Sequence, residues 1–275
     1  MPAEGIHFSV LGDSGVSSSA AKLGALFVDL PYFDAFWWGV VRYLAKVGPA
    51  PSPWGDVTHH KAPIAVGRGL MEEGVRLKGE EGAWLRALAA GYICHAAVDR
   101  SMHPHINALA RARAERLGDT PQRQHLEVEK YQSILFHDAR YGFEVMGTQA
   151  LLEHCDVDAS PLWKKGPVSD AVQRVLKAAW GKAPSRGLFR SWANGYSSYV
   201  KLISGPLGRR VAPRPEKEAA RDEVFTGFHE RYDAALKSSR RWMSTLQAYG
   251  DDGVFDASAR AALESEMPEG TIDPK

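Results

Sequence analysis

The stretch from Gly91 to His103 constrains the fold most, because it places three polar side chains at four-residue intervals inside an apolar helical pattern. His95, Asp99 and His103 therefore lie on one slowly drifting stripe of a helix. Their neighbours are apolar, so the stripe is predicted to face the interior. A buried carboxylate is costly unless it is paired or coordinated. The pattern thus predicts either metal ligands or a buried histidine–aspartate hydrogen bond.

A second pair with the same spacing, His125 and Glu129, follows in another predicted helix. Two histidine–carboxylate pairs on separate helices are what a multinuclear zinc site needs in a helical protein. The alternative for the first pair is a hydrogen bond, helped by Arg100 or Arg111, that stabilises the fold without chemistry. Both interpretations stay open, and the presence of two pairs favours the metal.

Helical periodicity dominates the chain and two-residue alternation is scarce, which predicts an all-α fold, a multi-helix bundle with a metal cluster between helices. The only predicted strand covers residues 6–11. Pro104 is expected to kink or end the central helix, and the tail after Met267 to be loose. Helices are predicted at residues 33–45, 63–77, 80–117, 124–153, 168–180, 188–202 and 216–249.

Composition excludes several classes of protein. With 34 basic and 33 acidic side chains, no overall field attracts nucleic acid or an anionic membrane, so any such affinity would be local. Cys94 and Cys155 are too few for a disulfide framework. No secretion signal or transmembrane segment is visible, which favours a cytoplasmic protein. We expect one domain over residues 1–275, with the metal motifs in residues 1–153 and additional helices in residues 154–275.

Four segments, in this order, resemble the zinc-dependent phospholipase C family, whose superfamily also contains zinc nucleases specific for single strands. They are Gly-Ala-Leu-Phe-Val-Asp-Leu-Pro at residues 24–31, Thr58-His59-His60, His95-x-x-x-Asp99 with His103-Pro104, and His125-x-x-x-Glu129. The resemblance leaves the carboxyl-terminal half unaccounted for. It implies a phospholipase C-like phosphodiesterase that uses zinc-activated water on a phosphate ester, such as a phospholipid, with nucleic acid as another substrate class.

Carried over to this sequence, the resemblance implies that His59, His95 and Asp99 hold one zinc ion. Asp99 would bridge it to a second ion. Asp29 would lie beside the first ion as the catalytic carboxylate that orients or deprotonates water. Because two histidines are adjacent in the sequence, His60 is an alternative to His59.

The second ion would be held by His103, His125 and Glu129, with His105 as an alternative to His103. His7 corresponds to the family's histidine near the amino terminus that helps to bind a third ion. Secreted relatives also use a processed terminal amine and carbonyl as ligands, whereas other residues precede His7 here. We therefore expect two zinc ions, and three if another group replaces those ligands.

Three other functions deserve comparison. Gly-Asp-Ser at residues 12–14 looks like the nucleophile block of a serine esterase. That class needs an α/β sheet and an Asp-x-x-His pair near the carboxyl terminus. The pair in this chain, Asp56-x-x-His59, is in the wrong place. His137-Asp138 resembles part of an HD-type phosphohydrolase without its other ligands. A helical scaffold that binds metal without turnover is the third alternative.

An aromatic group follows Asp29 and could line an apolar mouth for a lipid or a stacked base. Helical spacing alone also produces buried stripes, and that interpretation is favoured here. The group comprises Tyr32, Phe33, Phe36, Trp37 and Trp38.

Overall fold

The computed structural model describes residues 3–45, 52–211 and 222–272. These ranges contain helices and no strand, which confirms the all-α prediction. Two short 3-10 helices cover Leu30–Phe33 and Ser160–Leu162. The α-helices are α1 Ala3–Asp13, α2 Ser19–Phe27, α3 Phe36–Leu44, α4 Pro53–His60, α5 Pro63–Leu77, α6 Gly79–Leu117, α7 Pro121–Tyr141, α8 Gln149–Cys155, α9 Pro167–Trp180, α10 Arg186–Ser204, α11 Pro206–Val211, α12 Phe228–Asp252 and α13 Ala257–Glu266.

The longest of these helices, α6, forms the centre of the bundle and packs against α2, α5, α7 and α12. Its middle turns are buried on every side, with Leu88, Tyr92 and Ile93 all inaccessible to solvent. The helix ends at Gly118, which adopts a left-handed conformation that favours glycine. The helix end predicted at Pro104 is wrong, because α6 continues through this residue, whose ring lies on the exposed side, and the alternative of a kink stays a prediction.

The predicted strand at residues 6–11 is also wrong, because these residues belong to α1. Apolar Ile6, Phe8 and Val10 alternate with polar residues, which imitates a half-exposed strand. The intervening His7 and Ser9 are nevertheless buried and have partners inside the bundle. A helix that is buried all round can therefore show a two-residue pattern by coincidence.

The predicted helix at residues 124–153 is two helices. Gly142 ends α7 in a left-handed conformation, and the Asp138 carboxylate accepts a hydrogen bond from the Val145 amide in the loop that follows. Thr148 then caps α8 by accepting a hydrogen bond from the Leu151 amide. The apolar spacing continues through this region, but the capping residues end one helix and begin another.

Other helices agree more closely with the sequence. α5 has the predicted bounds, α9 begins one residue earlier than predicted, and α10 extends the predicted segment by two residues at each end. The first helix expected after Asp29 begins at Phe36, because a 3-10 turn occupies Leu30–Phe33. Of the segment predicted at residues 216–249, residues 216–221 lie outside the described ranges, and α12 covers Phe228–Asp252.

One cluster of buried apolar side chains runs through both the amino-terminal and the carboxyl-terminal helices. Its largest fully buried members include Phe27, Tyr92, Phe189, Trp192 and Phe228. Within the described ranges, no helix combines the length and the apolar character needed to cross a membrane. The polar residues singled out above lie where α1, α4 and α7 meet the middle of α6.

Candidate metal centre

Eight polar side chains converge beside the middle of α6. The structure brings together all the residues that the sequence assigns to the site, and these are His7 from α1, Asp29 from the turn after α2, His59 from α4, His95, Asp99 and His103 from α6, and His125 and Glu129 from α7. They form three groups, each with its ligand atoms within 4.8 Å of one another.

The Asp99 carboxylate lies at the centre of this cluster. Its Oδ1 is 3.3 Å from His7 Nε2 and 3.4 Å from His103 Nε2. Its Oδ2 is 2.9 Å from His95 Nε2 and 3.9 Å from His59 Nε2. Only 2% of the Asp99 side chain is exposed. Four imidazole nitrogens therefore surround one buried carboxylate.

The three groups provide two independent places for a cation. The first two both use His95, and a single Nε2 atom can serve only one ion at a time. The third shares no residue with the others. The first group comprises His7, His95 and Asp99, and the second comprises Asp29, His59 and His95. The third group comprises His103, His125 and Glu129.

Backbone carbonyl groups orient two of the imidazole rings. His95 Nδ1 donates to the Ala25 carbonyl over 2.7 Å, and His59 Nδ1 donates to the Gly55 carbonyl over 2.8 Å. In the neutral form that binds a metal, an imidazole carries one N–H, so each ring would then turn the lone pair of Nε2 toward the carboxylates. Ligand histidines in metalloproteins are usually held in this way.

The pKa of His95 reflects two opposing effects. Burial lowers it, but the carboxylates of Asp99 and Asp29 outweigh burial and raise the pKa to about 9. The metal-free protein therefore holds a proton at His95 that a cation would replace. Asp99 is affected in the opposite direction, because His103, His95 and His7 outweigh its burial and hold its pKa well below the usual range.

His7 behaves differently from His95, although their rings stack with centroids 4.0 Å apart. Burial, reinforced by His95, lowers the pKa of His7 to about 4, so the ring is neutral at physiological pH. His95 Nε2 and Asp99 Oδ2 are buried without an aligned hydrogen bond, although these two atoms lie 2.9 Å apart. Coordination would satisfy such atoms, so the donor set fits a metal ion.

The third group lies on the more open side of the cluster. Glu129 Oε1 is 3.3 Å from His103 Nε2 and 3.2 Å from His125 Nε2. His125 Nδ1 lies 2.8 Å from Asn107 Oδ1, which orients this ring as the carbonyls orient the others. Burial raises the pKa of Glu129, but His125 and His103 outweigh it and hold the pKa well below the usual range. Glu129 is therefore an anion ready to bind a cation.

Two adjacent alternatives point away from the cluster. His60 is exposed, and its Nδ1 lies 2.5 Å from Thr271 Oγ1. His105 Nε2 donates to the Thr226 carbonyl over 2.7 Å. In the part of the chain that the structure describes, neither belongs to a group that could hold a metal. The geometry therefore favours His59 and His103.

The serine esterase alternative lacks its fold. The described residues form no sheet, and Ser14 Oγ donates to the Val10 carbonyl over 2.8 Å at the end of α1. The HD dipeptide is also structural, because His137 Nδ1 donates to the Ser133 carbonyl over 2.6 Å while Asp138 binds the loop after α7. Neither the Gly-Asp-Ser segment nor the His-Asp dipeptide contributes to the cluster.

Sequence reasoning missed Glu4, whose residue is only 2% exposed. Burial raises the pKa of this carboxyl to about 8, and the charges of Asp29 and Glu129 act in the same direction. Its Oε1 atom has no hydrogen-bond partner. The signal was the three-residue spacing between Glu4 and His7, which places both on one face of a helix but on opposite faces of a strand.

The aromatic group is only partly the buried stripe that was favoured. Phe33 is buried and Phe36 half-buried, whereas Tyr32, Trp37 and Trp38 are exposed by 39%, 60% and 57%. The Tyr32 ring lies 5.5 Å from that of His59. Aromatic surface thus adjoins one edge of the cluster.

Fold and site together define an all-α protein with a buried histidine–carboxylate centre that could hold metal ions. No family model, curated protein or solved structure matches the chain. The class of site consequently rests on the residues themselves, and the resemblance to the phospholipase C family stays a prediction.

Proposed function

We propose that the protein is a zinc-dependent phosphoric ester hydrolase with phospholipase C-like chemistry. The observation that carries this proposal is the convergence of four histidine Nε2 atoms on the Asp99 carboxylate. Imidazole and carboxylate groups are the mixture of ligands typical of catalytic zinc. Two independent donor groups support two ions.

When bound in such a centre, zinc would lower the pKa of water and draw charge from the oxygens of a phosphate ester. The chain's own residues have separate roles. Asp29 lies 3.3 Å from His59 Nε2 and makes no capping hydrogen bond to the helix that follows. Its carboxylate is therefore placed to accept a proton from water at the edge of the centre. His95, fixed by the Ala25 carbonyl, provides a rigid ligand.

A phosphodiester of a lipid is the substrate class that we favour. Tyr32 offers exposed aromatic surface beside His59, and Trp37 and Trp38 on the following helix α3 are also exposed. Such rings suit both lipid and unstacked bases. Phospholipid vesicles and single-stranded oligonucleotides are therefore the two substrates to compare.

A metal-binding scaffold without turnover is the second candidate. It is favoured by the depth of the centre, since His7, His95 and Asp99 are exposed by only 3%, 0% and 2%. A substrate would have to reach the centre through its more open members, of which the His125 and Asp29 side chains are exposed by 18% and 12%.

The deciding experiment measures zinc by elemental mass spectrometry, before and after reconstitution, together with hydrolysis of an activated phosphodiester. Asp29→Asn should retain at least one zinc ion and lose roughly 100-fold or more in rate. Asp34→Asn, a nearby exposed aspartate bonded to Ser191, is the control and should change neither. Zinc without hydrolysis would support the scaffold, and no zinc after reconstitution would refute both candidates.

A further inference from the structure

Residues 268–272, here called the strap, follow α13 without helical structure and cross the end of α4 beside the centre. The sequence predicts a loose tail here. The structure instead buries Ile272 completely. A non-helical segment held this firmly must be fixed by specific contacts, and these are found on three helices.

The first anchor is Arg100 on α6, the residue after Asp99. Its guanidinium group donates to the carbonyls of Pro268 over 2.6 Å, Gly270 over 3.1 Å and Thr271 over 3.2 Å. The Arg100 guanidinium also lies 5.3 Å from the ring centre of Trp242. One side chain thus binds three backbone groups of the strap.

The second anchor is Glu269, which caps α5. Its carboxylate accepts hydrogen bonds from the amides of Ile64 over 3.0 Å and Ala65 over 2.8 Å. These amides belong to the first turn, where no intrahelical acceptor exists and an anion is favourable. The strap is therefore tied to the helix that directly follows α4.

The third contact reaches the ligand helix itself. The Ile272 amide donates to the His59 carbonyl over 3.0 Å, and Thr271 Oγ1 lies 2.5 Å from His60 Nδ1. α4 has only eight residues, and its last carbonyls have no partner within the helix. The Ile272 amide of the strap is therefore the partner of the His59 carbonyl, and the His59 side chain faces the centre.

We propose that the strap is a positioning element for His59, an inference that rests on the proposed metal centre. Gly55 holds Nδ1 of the ring, and Ile272 holds the backbone of the same residue. Fixing both ends directs Nε2 toward Asp29 and Asp99, as hydrogen bonds behind a ligand do in metal sites. Without the strap, α4 loses its connection to α6 and α5 through Arg100 and Glu269.

The test uses the double variant Glu269→Ala with Thr271→Val, which leaves the buried Ile272 side chain in place. Glu266→Ala is the matched control, because this carboxylate pairs with Arg241 on the surface and does not reach α4. Thr271→Ser, which keeps the hydroxyl, should behave like the unmodified protein. Thr271→Val alone replaces the double variant if circular dichroism shows that the latter is unfolded.

Two readouts are measured on the full chain. Hydrogen–deuterium exchange without metal follows the amides of residues 55–61, with residues 125–135 of α7 as an internal reference. Competition with a chelator gives the zinc dissociation constant. The variant should exchange at least tenfold faster in residues 55–61 and at the Ile64 and Ala65 amides that Glu269 caps, with the α7 reference unchanged. It should also bind zinc roughly tenfold more weakly.

Unchanged exchange would overturn the proposal, and so would faster exchange with unchanged zinc affinity. Weaker zinc binding without faster exchange would also overturn it, because the effect would then not pass through α4. If the unmodified protein binds no zinc while the variant exchanges faster, the strap still orders the helix of His59 and the proposed function fails.

Discussion

Gly24 of α2 and Gly91 of α6 touch where the two helices cross. A Cβ atom added to Gly24 would lie 3.0 Å from the Gly91 Cα and 2.1 Å from the Leu88 carbonyl oxygen. A Cβ atom added to Gly91 would lie 1.8 Å from the Ala21 carbonyl oxygen. Glycine is therefore required at both positions for the backbones to approach this closely. One turn beyond Ala21 and Gly91 on their helices, the Ala25 carbonyl accepts the hydrogen bond from His95.

Gly91→Ala should separate the helices and destabilise the fold by about 1–3 kcal/mol. It should also weaken metal binding, because the Ala25 carbonyl moves away from His95 Nδ1. Denaturant unfolding and chelator competition measure the two effects. Gly12→Ala, at an open position of α1, is the control. Loss of stability with full zinc affinity would contradict the link between the helix crossing and the ligand.

His95→Ala and Asp99→Asn should each remove metal from the centre, because both residues belong to a group that could hold a metal ion and Asp99 contacts four histidines. Ser14→Ala should leave metal content and hydrolysis unchanged, since its hydroxyl only bonds the Val10 carbonyl. Elemental analysis of the three variants checks this. The reverse pattern would restore the serine esterase alternative.

His103→Ala should remove one ion, whereas His105→Ala should retain the full complement. His103 faces Asp99 and Glu129, while His105 donates to the Thr226 carbonyl outside the cluster. Zinc stoichiometry separates the two. Equal stoichiometry in both variants would show that the third group does not bind an ion.

Asp13 should make stability depend on pH in the acid range. The Arg140 guanidinium donates to it over 2.9 and 2.7 Å and lowers its pKa, with a further hydrogen bond from Tyr232. A lowered pKa means that the stabilisation is present above the unfolded value, about 3.9, and is lost as pH falls through the folded value.

Asp13→Asn should therefore cost about 1–2 kcal/mol at pH 7 and much less at pH 2.5. Urea unfolding of both proteins at the two pH values measures this difference. An equal cost at both pH values would exclude the ionic origin of the effect.

Glu4 should have the opposite effect on stability. Burial raises its pKa to about 8, so the folded state holds a proton that the unfolded state releases above about 4.5. Stability contributed by the neutral carboxyl is present below the unfolded value and is lost as pH rises through about 8. In chelated protein, Glu4→Gln should be more stable than the unmodified chain at pH 9, by on the order of 2–4 kcal/mol, and similar at pH 4. No gain at pH 9 would mean that Glu4 is ionised without cost.

The ligand helices were predictable because their chemistry is periodic. Four-residue spacing identifies one face of a helix, and apolar neighbours identify it as buried, which is enough to single out His95 and Asp99. The pairing of α6 with α7 followed from two copies of one pattern. Spacing does not encode the angle between helices. The grouping of His95 with His59 was therefore expected only from the family resemblance, and the grouping of His95 with His7 required the structure.

The wrong predictions also have physical causes. In α1, polar His7 and Ser9 are buried because distant residues, Asp99 and His137, provide their partners. The strap was missed because most of its bonds join a side chain to a distant backbone group, and such backbone partners carry no signature in the sequence. Exposure of Trp37 and Trp38 was missed because a hydrophobic pattern gives no information about what covers a helix.

α6 is the central helix of the bundle, and its consecutive turns also carry three residues of the cluster, His95, Asp99 and His103. A mutation in these turns consequently affects two properties at once, the packing of the helices and the geometry of the cluster. Neither property can drift without the other, so descendants of this chain would be expected to keep or lose both together.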